Sequence, residues 1–320
     1  MRVLTVCLLV LCSWGTMAAQ DVAPQLSGRL VSSWNWVETG GQTAGLVTGW
    51  TGVTGGTKDV KSEVRLGLTN LPVPTVGLQR AWVKFRVPGT RVTTGLGRLA
   101  WGTGLVLVPG DLLFDSLGAG LGKELDFGND ELRTSAAWLG DVWVALGEEA
   151  FAEAAVLQNS VGARVSAAPG GVTLEAAGAW DRGTNGAKAA LSTQIHLGVD
   201  WYATVRQDTA ADHPVLSPEG TSCGLGAFGL WDLGEGMSLT SRHEAWAANP
   251  GAVRMKSYHD LILAFDAGWS LGARLLIDSF PDSAIPSAEV RWSALQNLSL
   301  FVTALPLEPR AVSVGCSARW

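Results

Sequence analysis

The chain has little charge, few histidines, only two tyrosines and, beyond its first residues, no long hydrophobic run. Charged residues make up 16% of the 320 positions, against about 25% in an average soluble domain. Hydrophobic residues reach 47% and the mean hydropathy is +0.21, so something other than water must receive much of the surface. Nowhere after residue 19 is there an apolar run of about 18 residues, the least a membrane helix needs. The longest uncharged stretch, residues 39–57, is mostly Gly and Thr. Transmembrane helices are therefore excluded. The histidines, at 196, 213, 243 and 259, have no metal-ligand spacing, and no Gly-rich phosphate loop or basic nucleic-acid patch occurs. No cofactor, metal or nucleic-acid partner is expected.

What is present begins with an export signal. Met1-Arg2 is a short positive start, residues 3–11 are apolar, and Thr16-Met17-Ala18-Ala19 supplies small residues for cleavage. Residues 1–19 are read as a cleaved signal peptide, the mature chain starting near Ala19 or Gln20. Acylation at Cys12 is the weaker reading, because Leu11 stands where lipoprotein signals carry a small side chain. Cys223 and Cys316 remain in the mature chain. An oxidising compartment permits a disulfide, but small wall residues on strands far apart in sequence are the simpler reading.

A membrane-spanning β-barrel resolves the composition, because its apolar residues face lipid at every second position and need not be consecutive. Ala189, Leu191, Thr193, Ile195, Leu197, Val199 and Trp201 alternate with Ala190, Ser192, Gln194, His196, Gly198 and Asp200. Ala288, Val290, Trp292 and Ala294 alternate with Ser287, Glu289, Arg291 and Ser293. Leu26, Gly28, Leu30, Trp34 and Trp36 oppose Ser27, Arg29, Ser33 and Asn35. Turns at Pro169-Gly170-Gly171, within residues 232–236 and at Gln296-Asn297 join strands into hairpins. Across the first of these, Arg164 and Glu175 share the wet face, and a slip of one residue would drive a charge into lipid at about 2–4 kcal/mol for a cation. Trp180, Trp231 and Trp269 fall beside turn residues, where indoles favour the membrane interface.

The fold class expected is all-β, a transmembrane antiparallel up-and-down barrel of 14–18 strands, an even number near 16, at about 10 residues per strand plus turns. Its domain is residues 20–320, with a long loop near 101–131. A barrel of that size leaves an aqueous lumen unless something fills it, so passive passage of small hydrophilic solutes, ions included, is the function expected. Pore-lining candidates are Arg29, Glu63, Arg65, Lys84, Arg86, Arg164, Glu175, Arg242, Glu244, Arg274, Glu289, Arg291 and Arg319. These lean cationic, whereas the net charge is −6 and falls to −7 once Arg2 leaves with the signal, so acidic residues are expected in loops and turns. The 101–131 loop either folds into the lumen as a constriction or lies solvated outside. Its constriction candidates are Asp111, Asp115, Glu124 and Asp126, whose acidity would favour cations in a narrow passage.

The end of the chain carries the most specific pattern. Val312, Val314, Cys316, Ala318 and Trp320 share one parity, opposite Ser313, Gly315, Ser317 and Arg319. This resembles the terminal strand of bacterial outer-membrane β-barrels, whose final aromatic residue is the assembly signal, here Trp320. Residues 97–104, containing Arg98, Trp101, Gly102 and Gly104, followed by Pro109, Asp111 and Phe114, resemble an R-x-x-W-G-x-G then P-x-D segment of porin-like barrels. The resemblance implies an outer-membrane address, and as partners the membrane lipids, the barrel-assembly machinery and small hydrophilic solutes, with homo-oligomerisation left open. Two other functions compete. A lipid hydrolase would use Ser241 and His243, which share the lipid-facing parity with Met237, Leu239 and Ala245. The Ser-x-His order is the reverse of that in the barrel phospholipases it would resemble, and the sequence offers no third member to orient the imidazole. A non-conducting structural or adhesin barrel is the other.

Overall fold

Alternation of apolar and polar residues fixes two faces on each strand, and in this chain the strands join into one sheet that closes on itself. The computed structural model describes residues 24–37, 42–69, 74–99, 101–104, 106–107, 109–114, 136–209, 220–248, 254–279, 282–305 and 311–319. The export signal and Trp320 lie outside these residues, as do Asp115, Glu124 and Asp126.

The strands run in chain order. The first five are β1 (Gln25–Val37), β2 (Gln42–Gly56), β3 (Val60–Thr69), β4 (Thr75–Val87) and β5 (Thr90–Gly97). After the long connection come β6 (Ala137–Ala145), β7 (Ala150–Leu157), β8 (Ser160–Ala167), β9 (Val172–Asp181) and β10 (Gly186–His196). Then follow β11 (Asp200–Thr209), β12 (Thr221–Gly234), β13 (Met237–Ala248) and β14 (Arg254–Phe265). The last four are β15 (Trp269–Ser279), β16 (Asp282–Leu295), β17 (Leu298–Leu305) and β18 (Ala311–Arg319). Each pairs antiparallel with its neighbours in sequence, and β18 pairs with β1 to close an 18-stranded up-and-down barrel. The strand number stands at the upper end of the range expected from length, because one rim spends only two to four residues on each of its turns. At that rim the connections are residues 57–59, 88–89, 146–149, 168–171, 197–199, 235–236, 266–268 and 296–297. It also holds the start of β1 and the end of β18. The opposite rim carries the long connections, 98–136 and 210–220.

Residues directly opposite each other across two strands share a face, so the register carries the assignment of faces around the wall. Leu191 is 66% exposed on the outside while its neighbour Ser192, on the inside, is 6% exposed. The same contrast separates Val290 from Glu289 and Leu30 from Arg29. Water would not tolerate an outer belt of this many exposed Leu, Val and Trp side chains; hydrocarbon does, and the barrel is transmembrane. Trp180, Trp231 and Trp269 are exposed on this outer face near strand ends, and Trp269 stacks on Trp292 at 5.7 Å. Cys223 and Cys316 are free thiols on the outward parity of β12 and β18, strands that are not neighbours. Among the described residues no helix is long and apolar enough to cross a membrane.

Candidate functional site

The inner wall is where charge collects. Every pore-lining candidate lies on inward parity: Arg29 opposite Arg319, Glu63 and Arg65 on β3, Lys84 and Arg86 on β4, Arg164 and Glu175 on β8 and β9, Arg242 and Glu244 on β13, Arg274 on β15, Glu289 and Arg291 on β16. Acidic residues are not confined to loops and turns, contrary to expectation. Asp141, Glu153, Asp208, Asp260 and Asp278 also face inward, on β6, β7, β11, β14 and β15. Cations on the same or nearby strands meet four of them: Arg91 and Arg164 meet Glu153, Arg206 meets Asp208, Arg242 and Arg274 meet Asp260, and Lys256 meets Asp278.

Glu153, Glu175 and Glu244 serve the connection after β5, whose described residues, 101–104, 106–107 and 109–114, fold into the barrel rather than outside it. Trp101 and Asp111 are 0% exposed. The indole Nε1 of Trp101 donates to Glu153 Oε2 at 2.8 Å. Gly102 N donates to Glu175 Oε1 at 2.8 Å, while Val106 N and Leu107 N both donate to Glu244 Oε2, at 2.9 and 2.6 Å. Arg206 Nη1 donates to the carbonyl of Pro109 at 3.4 Å. A segment without regular structure carries unsatisfied backbone N–H groups, and buried ones must find acceptors. Here carboxylates of β9 and β13 supply them, with the added strength of a charged acceptor, while that of β7 takes the Trp101 indole.

The segment is also closed on itself. Arg98 pairs with Asp111, and its guanidinium lies 4.7 Å from the ring centre of Phe114. Gly102 has φ +74, in the left-handed region, and a Cβ there would come within 2.7 Å of the Gly110 backbone. The R-x-x-W-G-x-G and P-x-D residues are thus the latch, the plug and the turn of one inward fold. Asp111 is not a bare lumen charge, since Arg98 neutralises it.

Two apolar clusters seat the segment. Trp101 and Leu112 pack with Leu139, Ala155, Leu157, Ala177, Ala179 and Ala190, all inward residues of β6, β7, β9 and β10. Val106 and Leu107 pack with Tyr258 and Leu276, beside Trp246. Close approach is bought with glycine on the wall. A Cβ on Gly162 would lie 2.9 Å from the Trp101 ring, and one on Gly224 would lie 2.7 Å from Pro109. Around Glu153 the wall adds Arg91 at 3.0 Å and Arg164 at 2.6 Å, and Arg164 also reaches Glu175 at 2.7 Å. Arg91, Glu153, Arg206 and Asp260 escaped sequence reasoning. The alternation that would flag them is lost where the inner wall is itself apolar.

The contacts of this segment described above fall on β6 to β15. The remaining arc, β16 to β18 and β1 to β5, is lined differently. Its inward cations include Arg29, Lys61, Arg65, Arg80, Lys84, Arg86, Arg291 and Arg319, and inward tryptophans stand among them. Arg65 lies 3.8 Å from the ring centre of Trp50, and Lys84 lies 5.0 Å from that of Trp82. Glu63 and Glu289 are its buried carboxylates. Glu63 accepts from Arg65 and Trp82, and Glu289 from Arg291 and Thr303.

On the outer wall, Ser241 and His243 are joined by the third member that sequence did not reveal. Ser241 Oγ is 2.7 Å from His243 Nε2, His243 Nδ1 is 3.0 Å from His259 Nδ1, and His259 Nε2 is 3.2 Å from Ser257 Oγ. His243 and His259 are direct cross-strand partners, each midway along its strand. The backbone of β13 is paired on both sides, with β12 and β14, so its N–H groups serve the sheet and not an oxyanion. Among the described residues no group of three or more metal-ligating side chains occurs.

No protein-family model and no curated protein matches this chain. Solved structures do. Two substituted forms of the porin of Rhodopseudomonas blastica align over 93% of this chain and 100% of theirs. They are 12% and 11% identical to it, each with a TM-score of 0.55. A triple mutant of the same porin aligns over the same shares at 10% identity and a TM-score of 0.53. At such identities the likeness is one of fold, and it is with a porin-like outer-membrane barrel that this chain shares its fold.

Proposed function

We propose that the protein is a porin-like channel of a bacterial outer membrane, through which small hydrophilic solutes, ions among them, diffuse passively. The observation that supports this best is the uneven use of the lumen. The described residues between 101 and 114 are clamped to β6–β15, while polar and charged side chains of β16–β18 and β1–β5 line the space opposite. An inward segment of this kind narrows a wide barrel and sets what passes by charge and width. Outer-membrane barrels carry short periplasmic turns and longer extracellular loops, which puts the short-turn rim and both ends of the sheet on the periplasmic side. Export by a cleaved signal, assembly through the terminal strand ending at Trp320, and association into a homo-oligomer belong to the same reading. Purified protein in planar bilayers tests it. Stepwise conductance is expected, and its absence at every salt concentration, in protein that still shows heat-modifiable mobility, would leave the structural or adhesin barrel.

The hydrogen-bonded Ser241, His243 and His259 favour a second reading, lipid hydrolysis, since a base contacting a serine and oriented by a third group is the arrangement of a nucleophile. Its mid-wall position stands against it, because lipid esters lie at the membrane interface. Hydrolysis of phospholipid that disappears in His243→Ala would establish it.

A further inference from the structure

Like charges placed directly opposite each other on neighbouring strands repel and destabilise a sheet, yet the periplasmic half of the β3–β5 inner wall is built from such pairs. Lys61 faces Lys84, Arg65 faces Arg80, and Arg86 faces Arg91. Glu63 is saturated by Arg65 at 2.8 Å, by Trp82 and, more distantly, by Arg80 at 4.0 Å. Arg91 is shared with Glu153. Lys61, Lys84 and Arg86 have no ion-pair partner among the described residues. Lys61 and Arg86 are exposed, and the side chains of Arg80 and Arg91 keep 25% and 30% of their surface. The carboxylates that border these cations, Asp141 on β6 beside Thr93 and Glu153 on β7 against Arg91, are buried. Along this stretch of inner wall the charge that meets water is therefore positive, while Asp59, Glu148 and Glu149 stand exposed in the turns of the rim itself.

From these juxtaposed pairs we infer an anion-binding site at the periplasmic mouth of the lumen, formed by Lys61, Lys84, Arg86 and Arg91, for a small oxyanion of the phosphate class. Facing cations at cross-strand spacing can share the oxygens of one doubly charged anion. Guanidinium groups match such oxygens in a fork, and ammonium groups add point charge. A bound oxyanion removes the repulsion that the empty wall carries. Stacking of Arg91 against Trp143, at 5.3 Å, and of Lys84 against Trp82 orients the cations. The site makes the channel anion-preferring, a consequence that rests on the channel reading, whereas the binding itself does not.

The experiment uses the full folded chain in detergent, titrated calorimetrically with inorganic phosphate and separately with glycerol phosphate, and then reconstituted for reversal potentials in a KCl gradient. Phosphate is expected to bind, and the double variant Lys84→Gln with Arg86→Gln to lose at least about tenfold in affinity, as loss of charge-assisted contacts requires. Lys84→Arg keeps the charge and retains binding, which separates the site from a folding defect. Tighter binding of glycerol phosphate than of phosphate identifies an ester as the ligand; the reverse order identifies the free ion. Either order supports the site. Absence of phosphate binding, or equal binding by the double variant, overturns it, and so does a cation-selective wild-type channel. Binding without conductance would defeat the channel reading and leave the site standing.

Discussion

The two arcs of the inner wall solve opposite problems. From β6 to β15 the wall receives an irregular segment, so it offers carboxylates to that segment's N–H groups and small or apolar residues to its side chains. From β16 through β5 no such guest is described, and the wall shows water arginines, lysines, tryptophans and hydroxyls. One barrel thus contains a region that behaves as a protein core and another that behaves as a wetted surface. Charge follows that division at its clearest points: Glu153 and Glu244 are buried where they hold the segment, and Lys61, Arg86 and Arg319 are exposed on the other arc.

The strongest way to break this contrast is to remove the guest. Replacing residues 101–114 by a short Gly-Ser linker is expected to raise single-channel conductance several-fold, about two- to fivefold, because the constriction no longer narrows the lumen. Conductance unchanged from wild type would mean that these residues do not limit passage. Next in size is Glu153→Ala, which leaves Arg164, Arg91 and the Trp101 indole without their shared acceptor. Breaking a buried ion pair on one side costs about 3–5 kcal/mol, and a lowered unfolding temperature of the detergent-folded barrel should report it. Gly162→Val is smaller, about 1–3 kcal/mol from overpacking against Trp101. Gly140→Ala, where an added Cβ meets nothing within 4 Å, serves as its control, and equal melting of the two variants would contradict the packing described. The smallest expected effect is that of His243→Ala, on the outer wall away from both arcs. Conductance, selectivity and lipid composition of the vesicles should not change, and a change in lipid composition would revive the hydrolase.

How far the sequence could be read follows the same division. On β10 the alternation of Leu191 with Ser192 is plain because lipid lies on one side and water on the other, and on β16 the same holds for Val290 and Glu289. On β6 and β7 it fails. Leu139, Ala155 and Leu157 point inward, yet they are apolar because Trp101 and Leu112 lie against them. Strands that are dry on both faces lose the period of two, and Asp141 and Glu153 were hidden among them. β2 fails for another reason, since its Gly and Thr residues contrast weakly on either face. The R-x-x-W-G-x-G segment was legible as a motif, but the residues left both the inward and the solvated reading of its loop open. Which holds depends on Gly162, Gly224, Glu175 and Glu244, far away in sequence and adjacent only once the barrel closes.

By itself the sequence determined the class of fold, the outward face of the strands that alternate, and the inward parity of thirteen charged positions from Arg29 to Arg319, because a lipid boundary penalises a charge on the wrong face at every residue. Tertiary structure decided the rest. That 18 strands close, that residues 101–114 enter the lumen, and that like charges face one another on β3–β5 are properties of register and closure. They arise from pairing between strands, which no single strand's pattern contains.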